Sequence, residues 1–218
     1  MHNFKDYDYS LLDNYVFQVA GINIDQTRNR EIACNTAYKD WCKEFGNSNP
    51  IHVEIGCGNG HFLVKKAAEN PGINYIGIDL KKNRIIRCRE KQEKRNLNNM
   101  RWICGEAYIA LSTLFPAGSI DFVYMTFPDP WPKKRHHKKR LFQDILLNLL
   151  YNKLTQTGEF LFISDHEEYY ESSVLIASAD NRYLLKAGDF SGDLVESLFG
   201  KMWEKDKRKI QSFTIKKL

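Results

Sequence analysis

From Ile51 to about Ala179 short apolar runs alternate with longer amphipathic ones, and this rhythm restricts the fold more than any other feature. Residues 51–55 read as a strand entering a glycine turn, followed by a helix over 61–69 that stops before Pro71 and Gly72. A second strand over 74–78 leads into a strongly charged helix over 81–95, and a third over 101–104 leads into a helix over 107–114. A fourth strand, 120–127, is broken by Pro128. Leu141, Phe142, Ile145, Leu146, Leu149 and Leu150 then recur at helical spacing. Gly158 interrupts before a fifth strand over 159–164, and a last helix covers 167–179. Repeated strand–helix alternation predicts an α/β fold with a doubly wound, mainly parallel sheet. Upstream, the weakly periodic residues 1–46 predict an N-terminal arm and a helix over 30–45, with one α/β domain over 47–218.

Ligands of such sheets bind beyond the carboxyl ends of the strands. Four acids stand there, Asp79, Glu106, Asp129 and Asp165, together with the turn Gly56–Gly60. The segment Glu54-Ile55-Gly56-Cys57-Gly58-Asn59-Gly60 closes the first strand. Its alternate glycines allow a sharp turn and close backbone approach to a ligand. A dinucleotide fingerprint needs a further glycine where His61 stands, which counts against an NAD oxidoreductase. Asp79 ends the second strand at the distance where an acid meets a ribose hydroxyl. Cys57 has no partner at metal-ligand spacing and reads as a packed thiol, and no metal site is expected. For Glu54, direct ligand contact and a buried acid satisfied by loop N–H groups are nearly equal readings.

Residues 127–140 read Phe-Pro-Asp-Pro-Trp-Pro-Lys-Lys-Arg-His-His-Lys-Lys-Arg. Three prolines stiffen the turn and hold out Asp129 and Trp131. Net charge is +5, and 133–140 alone holds six Lys or Arg, so the rest of the chain is close to neutral. A local basic excess joined to a strand-end acid points to chemistry on a polyanion. Trp131 suits base stacking and a core cap equally. Five cysteines without a C-x-x-C pair fit reduced thiols and a cytoplasmic setting, and no apolar run is long enough to span a membrane.

The G-x-G-x-G turn with a strand-terminal acid resembles the S-adenosylmethionine site of Rossmann-like class I methyltransferases. Asp129-Pro130-Trp131 resembles the catalytic turn of nitrogen-directed methyltransferases. The longer string over 129–136 is similar to the tRNA (guanine-N7)-methyltransferases, in the bacterial form that works as a single chain. The resemblance implies S-adenosylmethionine as cofactor, tRNA as partner and N7 of guanine 46, in the variable loop, as the methyl acceptor. It assigns Glu54, Gly56, Gly58, Gly60, Asp79, Glu106 and Asp129 to the cofactor. Catalysis falls to Asp129 and Asp165, with Asp165 on the target base. Lys133, Arg135, His136, His137, Lys138, Lys139 and Arg140 fall to substrate RNA. The family's Thr-x-x-Glu substrate motif has its counterpart in Lys201 and Glu204, where lysine replaces threonine. The rival classes are a non-catalytic RNA-binding protein on the same fold and a small-molecule or protein methyltransferase. Intact glycines and acids oppose the first, and the basic strip has no purpose in the second. Asp165 also suits the N-cap of the helix over 167–179.

Overall fold

The strands predicted for the first half of the chain form where hydrophobic, β-prone residues are continuous, since strands buried on both faces do not alternate. The computed structural model describes residues 16–18, 38–188 and 209–218. The chain divides into two compact units, Met1–Pro116 and Ala117–Leu218. In the first unit, β1 (Val16–Gln18), β2 (Ile51–Ile55), β3 (Asn74–Asp79) and β4 (Met100–Cys104) pair in parallel, with β1 on β4, β4 on β3 and β3 on β2. Helices α1 (Trp41–Phe45), α2 (His61–Glu69), α3 (Lys82–Lys94) and α4 (Ala107–Leu114) complete it.

Val53, Ile55, Ile76, Ile78, Trp102 and Ile103 fill its core with Leu63, Val64 and Leu111 from the helices. Trp102 organises this packing. Its indole lies where a side chain on Gly77 would sit, so that a Cβ there would come within 2.4 Å of the ring. Its Nε1 donates to Gln92 Oε1 at 2.7 Å, and Gln92 Nε2 donates to the carbonyls of Leu97 and Met100. The indole N–H and the Gln92 amide are thereby satisfied inside the core, as burial demands.

In the second unit, β5 (Ile120–Thr126) pairs in parallel with β6 (Leu154–Ser164). Antiparallel to β6 runs β8 (Gln211–Lys217), and antiparallel to β8 runs β7 (Tyr183–Gly188). Helices α5 (Asp144–Lys153) and α6 (Glu167–Ser178) accompany them. An aromatic cluster of Phe142, Phe160, Phe162, Tyr169 and Phe213 forms its core, with Phe162 and Phe213 stacked at 5.1 Å.

Four expectations are corrected. Of the helix expected over 30–45, residues 30–37 lie outside the described residues, 38–40 are not helical, and α1 starts at Trp41, where the Asp40 carboxylate caps it by accepting from Lys43 N at 3.0 Å. The apolar periodicity from Leu141 becomes helical only at Asp144. Gly158 does not interrupt: it lies within β6 at the register shift between Ile120 and Phe122, where an added Cβ would press on the Ile120 carbonyl at 3.0 Å. Strands β1, β7 and β8 were not anticipated. No helix among the described residues is long and apolar enough to cross a membrane.

Candidate active site

Within the first unit, the glycine turn is built onto the end of β3. Gly56 N and Cys57 N both donate to Ile78 O, at 2.8 and 3.0 Å. Gly58 N donates to Asp79 Oδ2 at 3.0 Å, and Lys81 N donates to Asp79 Oδ1 at 2.8 Å. Arg84 adds an ion pair to Oδ2 at 3.2 Å. Asp79 is thus a buried hub that fixes the turn and the start of α3. A carboxylate has about four acceptor sites, and three are used, which leaves one on Oδ1 for a ligand hydroxyl.

The glycines serve two purposes. Gly56 and Gly58 have φ of +75° and +56°, and a Cβ on either would meet nothing within 4 Å, so the turn faces open space. At Gly60 an added Cβ would lie 2.8 Å from Cys88 Sγ and 3.1 Å from Trp102, so this glycine serves packing. Burial, and then the adjacent Cys88 thiol, push the Cys57 thiol up, which makes it a poor nucleophile.

Glu54 is buried at the end of β2. Glu106 accepts from Ile109 N at 2.9 Å as the N-cap of α4. Burial pushes the Glu106 carboxyl up, and the helix N–H groups draw it partly back. Asn59 Oδ1, in the glycine turn, is buried and accepts no hydrogen bond among the described residues. An open glycine backbone, two buried carboxylates and an unused amide oxygen make a site rich in acceptors. Such a set fits a cationic ligand bearing ribose hydroxyls and amino groups, and S-adenosylmethionine has all of these.

Within the second unit, the Pro-rich turn follows β5. Phe127 and Trp131 bracket it with φ of +50° and +45°, conformations that bulky residues seldom adopt. Between them Asp129 is exposed. The basic strip forms a 3₁₀ helix, Lys134–Lys139. Lys133, Lys134, Arg135, Lys138 and Lys139 are exposed, and Lys139 Nζ also lies 4.6 Å from the Trp131 ring centroid.

Three members of the strip, His136, His137 and Arg140, also make contacts within the protein. Arg140 is 5% exposed. Its Nε donates to Pro130 O at 2.8 Å, its Nη1 donates to Ser172 Oγ at 3.1 Å, and its guanidinium covers the Tyr169 ring at 4.8 Å. It therefore ties the turn to α6. His137 Nε2 lies 3.4 Å from Glu168 Oε1, and His136 meets the edge of Trp131 at 5.8 Å. Gln143 Nε2 donates to the carbonyls of Lys138 and Arg140, and Phe142 N donates to Tyr169 Oη. Gln143, Tyr169 and Ser172 are anchors that sequence reasoning missed. The only signal was the abrupt step from Arg140 to the apolar pair Leu141-Phe142.

Asp165 follows β6 and is half-buried. The N-cap of α6 is His166, whose Nδ1 accepts from Tyr169 N at 3.3 Å, so capping is not the role of Asp165. Lys201 and Glu204 lie outside the described residues.

The fold and the acceptor-rich turn define a Rossmann-like class I methyltransferase. Solved structures agree on the fold. The aminoglycoside resistance methyltransferase NpmB1 is similar with a TM-score of 0.56 at 16% identity, covering 81% of this chain and 91% of that one. The precorrin-6y C5,15-methyltransferase of Geobacter metallireducens GS-15 gives 0.57 at 12% identity, over 78% and 81%. Residues 48–210 match the family described as "Putative methyltransferase". The tRNA (guanine-N(7)-)-methyltransferase of Streptococcus pneumoniae (strain CGSP14) is 38% identical over 163 residues, 71% of this chain and 76% of that one. The protein of the same name from Listeria monocytogenes serotype 4b (strain F2365) is 36% identical over 160 residues, 71% and 74%. The chain belongs to the tRNA (guanine-N7)-methyltransferase family.

Proposed function

We propose that the protein methylates N7 of a variable-loop guanosine in tRNA, in the cytoplasm and as a single chain without a partner subunit. The observation that carries this reading is the exposed basic 3₁₀ helix, fastened by Arg140 directly to the turn that presents Asp129. A polyanion held by the strip brings its base to that carboxylate.

Gly56 and Gly58 give backbone access to the methyl donor, Asp79 takes a ribose hydroxyl on its remaining acceptor site, and Glu54 meets the cationic methionine end. Glu106 takes the adenine end, with its carboxyl also committed to α4. When bound, S-adenosylmethionine supplies a methyl group on a positively charged sulfur. Guanine N7 has a lone pair and no proton, so its attack needs no general base. Transfer of that methyl group to N7, with the S–C electron pair left on sulfur, would move positive charge from the donor to the purine. Asp129 and Asp165 offset that charge as it arrives. Asp165 also accepts the guanine N1–H and amino protons, which orients the ring. In-line positioning supplies much of the remaining acceleration.

Incubation with methyl-labelled cofactor and unmodified tRNA, followed by nucleoside mapping, tests the reading. Label at guanine N7 in the variable loop is expected. Label on another atom overturns the assignment, and tRNA binding without transfer favours a non-catalytic RNA-binding protein.

A further inference from the structure

Residues 81–95 contain eight Lys or Arg and only two Glu, so they carry the same net charge as 133–140, spread over a longer segment. The core face of α3 is set by Ile85, Cys88 and Gln92, all buried. At about 100° per residue, Arg84, Arg87, Lys91, Lys94 and Arg95 share one flank beside that face, at helical spacings of three and four. Glu93 falls on the opposite flank, where it pairs with Arg89 at 3.0 Å, and Glu90 points away from the core at the border of the cationic flank. A helix face that is merely solvated mixes its signs through pairs of this kind. Here the signs are sorted, and one flank is wholly cationic.

Two of these cations are committed locally. Arg84 pairs with Asp79, and Lys91 Nζ donates to Asn59 O at 2.7 Å, so the stripe abuts the glycine turn. Arg87, Lys94 and Arg95 are exposed and make no ion pair among the described residues. The positive field is felt nearby: burial lowers the His61 pKa, and Lys91 and Arg95 lower it further.

We propose that this flank of α3 is a second docking surface for the RNA backbone, distinct from the strip over 133–140. The inference rests on tRNA being the substrate. The stripe runs about 15 Å from Arg84 to Lys94 at ~1.5 Å per residue, long enough to follow several phosphates of one strand. A membrane surface is a poor alternative, because Ile85 and Cys88 are already buried in the protein and Ile86 alone on this helix is a large exposed apolar residue.

The test compares wild type with the triple variant Arg87→Gln, Lys94→Gln, Arg95→Gln and with a charge-retaining triple, Arg87→Lys, Lys94→Arg, Arg95→Lys. Binding of unmodified tRNA is measured from low to moderate salt, and cofactor affinity by calorimetry. The neutral triple is expected to flatten the slope of log K against log salt by about 2 units, at ~0.7–0.9 per phosphate contact. Cofactor affinity should stay within twofold, and the charge-retaining triple should keep the wild-type slope. A neutral triple with an unaltered slope overturns the surface while leaving the substrate assignment intact. A flattened slope in a protein that methylates a different atom keeps the surface and removes the N7 assignment. Wild type that fails to bind tRNA removes both.

Discussion

Asp79 stands for what single residues do here, because it is a structural hub and the proposed acceptor for a ligand hydroxyl at once. Its oxygens hold Gly58 N, Lys81 N and Arg84, so Asp79→Ala loosens the turn as well as removing an acceptor. Loss of charged hydrogen bonds of this kind is worth about 1–3 kcal/mol. Calorimetry should show S-adenosylmethionine binding weakened by that amount, and unchanged affinity would remove Asp79 from the site. Asp165 makes a cleaner case, since His166 already caps α6. Asp165→Asn keeps the shape and loses one charge. It should lower the single-turnover methylation rate by about 10²-fold with cofactor affinity near wild type. A near-normal rate would sink its assignment to the base. At this scale the sequence was informative about which residues bear charge and less so about where the charge points. Strand-end acids could be located by period and spacing. The inward turn of Arg140 could not, because its partners Ser172 and Tyr169 lie some thirty positions away.

Among the elements, the 3₁₀ strip and its anchors separate two kinds of arginine. Neutralising the exposed Arg135, Lys138 and Lys139 should flatten the salt dependence of tRNA binding by about 2 units and leave unfolding unchanged. Arg140→Gln should do the reverse. It breaks the link from Pro130 to α6, costs about 1–3 kcal/mol in chemical denaturation, and shifts the salt slope little. If Arg140→Gln reduced the slope without loss of stability, Arg140 would belong to the RNA surface after all. The legible elements were those of the repeating strand–helix core. For β2, α2 and α4 the ends were marked by glycine, proline or a capping acid, and their bounds agree with the sequence to the residue. Elsewhere local signals misled. Gly158 looks like a break but is tolerated in β6, because the register shift leaves no room for a side chain. Strand β8 places Phe213 and Ile215 in the core yet ends in two lysines, which mask its alternation. Strand β1 is three residues long, too short for any period to show.

Across the whole molecule, two compact units, Met1–Pro116 and Ala117–Leu218, are joined in one chain, and each has its own core. The first core contains a tight contact of the Trp102 ring against Gly77. Gly77→Ala overpacks it, which typically costs about 1–3 kcal/mol. The same ring lies within 3.1 Å of where a Cβ on Gly60 would be, at the start of α2. Displacing the indole therefore disturbs the glycine turn. Gly77→Ala should weaken S-adenosylmethionine binding although its methyl group touches no ligand, and Trp102→Phe in the same chain should recover part of that affinity. Equal losses with and without Trp102→Phe would refute the coupling. For mutational history this makes positions 60, 77 and 102 one unit of change. A larger residue at 77 becomes admissible only after the ring at 102 has shrunk, and shrinking it first opens a void. Every one-step route between such states crosses a less stable protein with a poorer cofactor site, so the order in which substitutions arrive decides which of them can be kept.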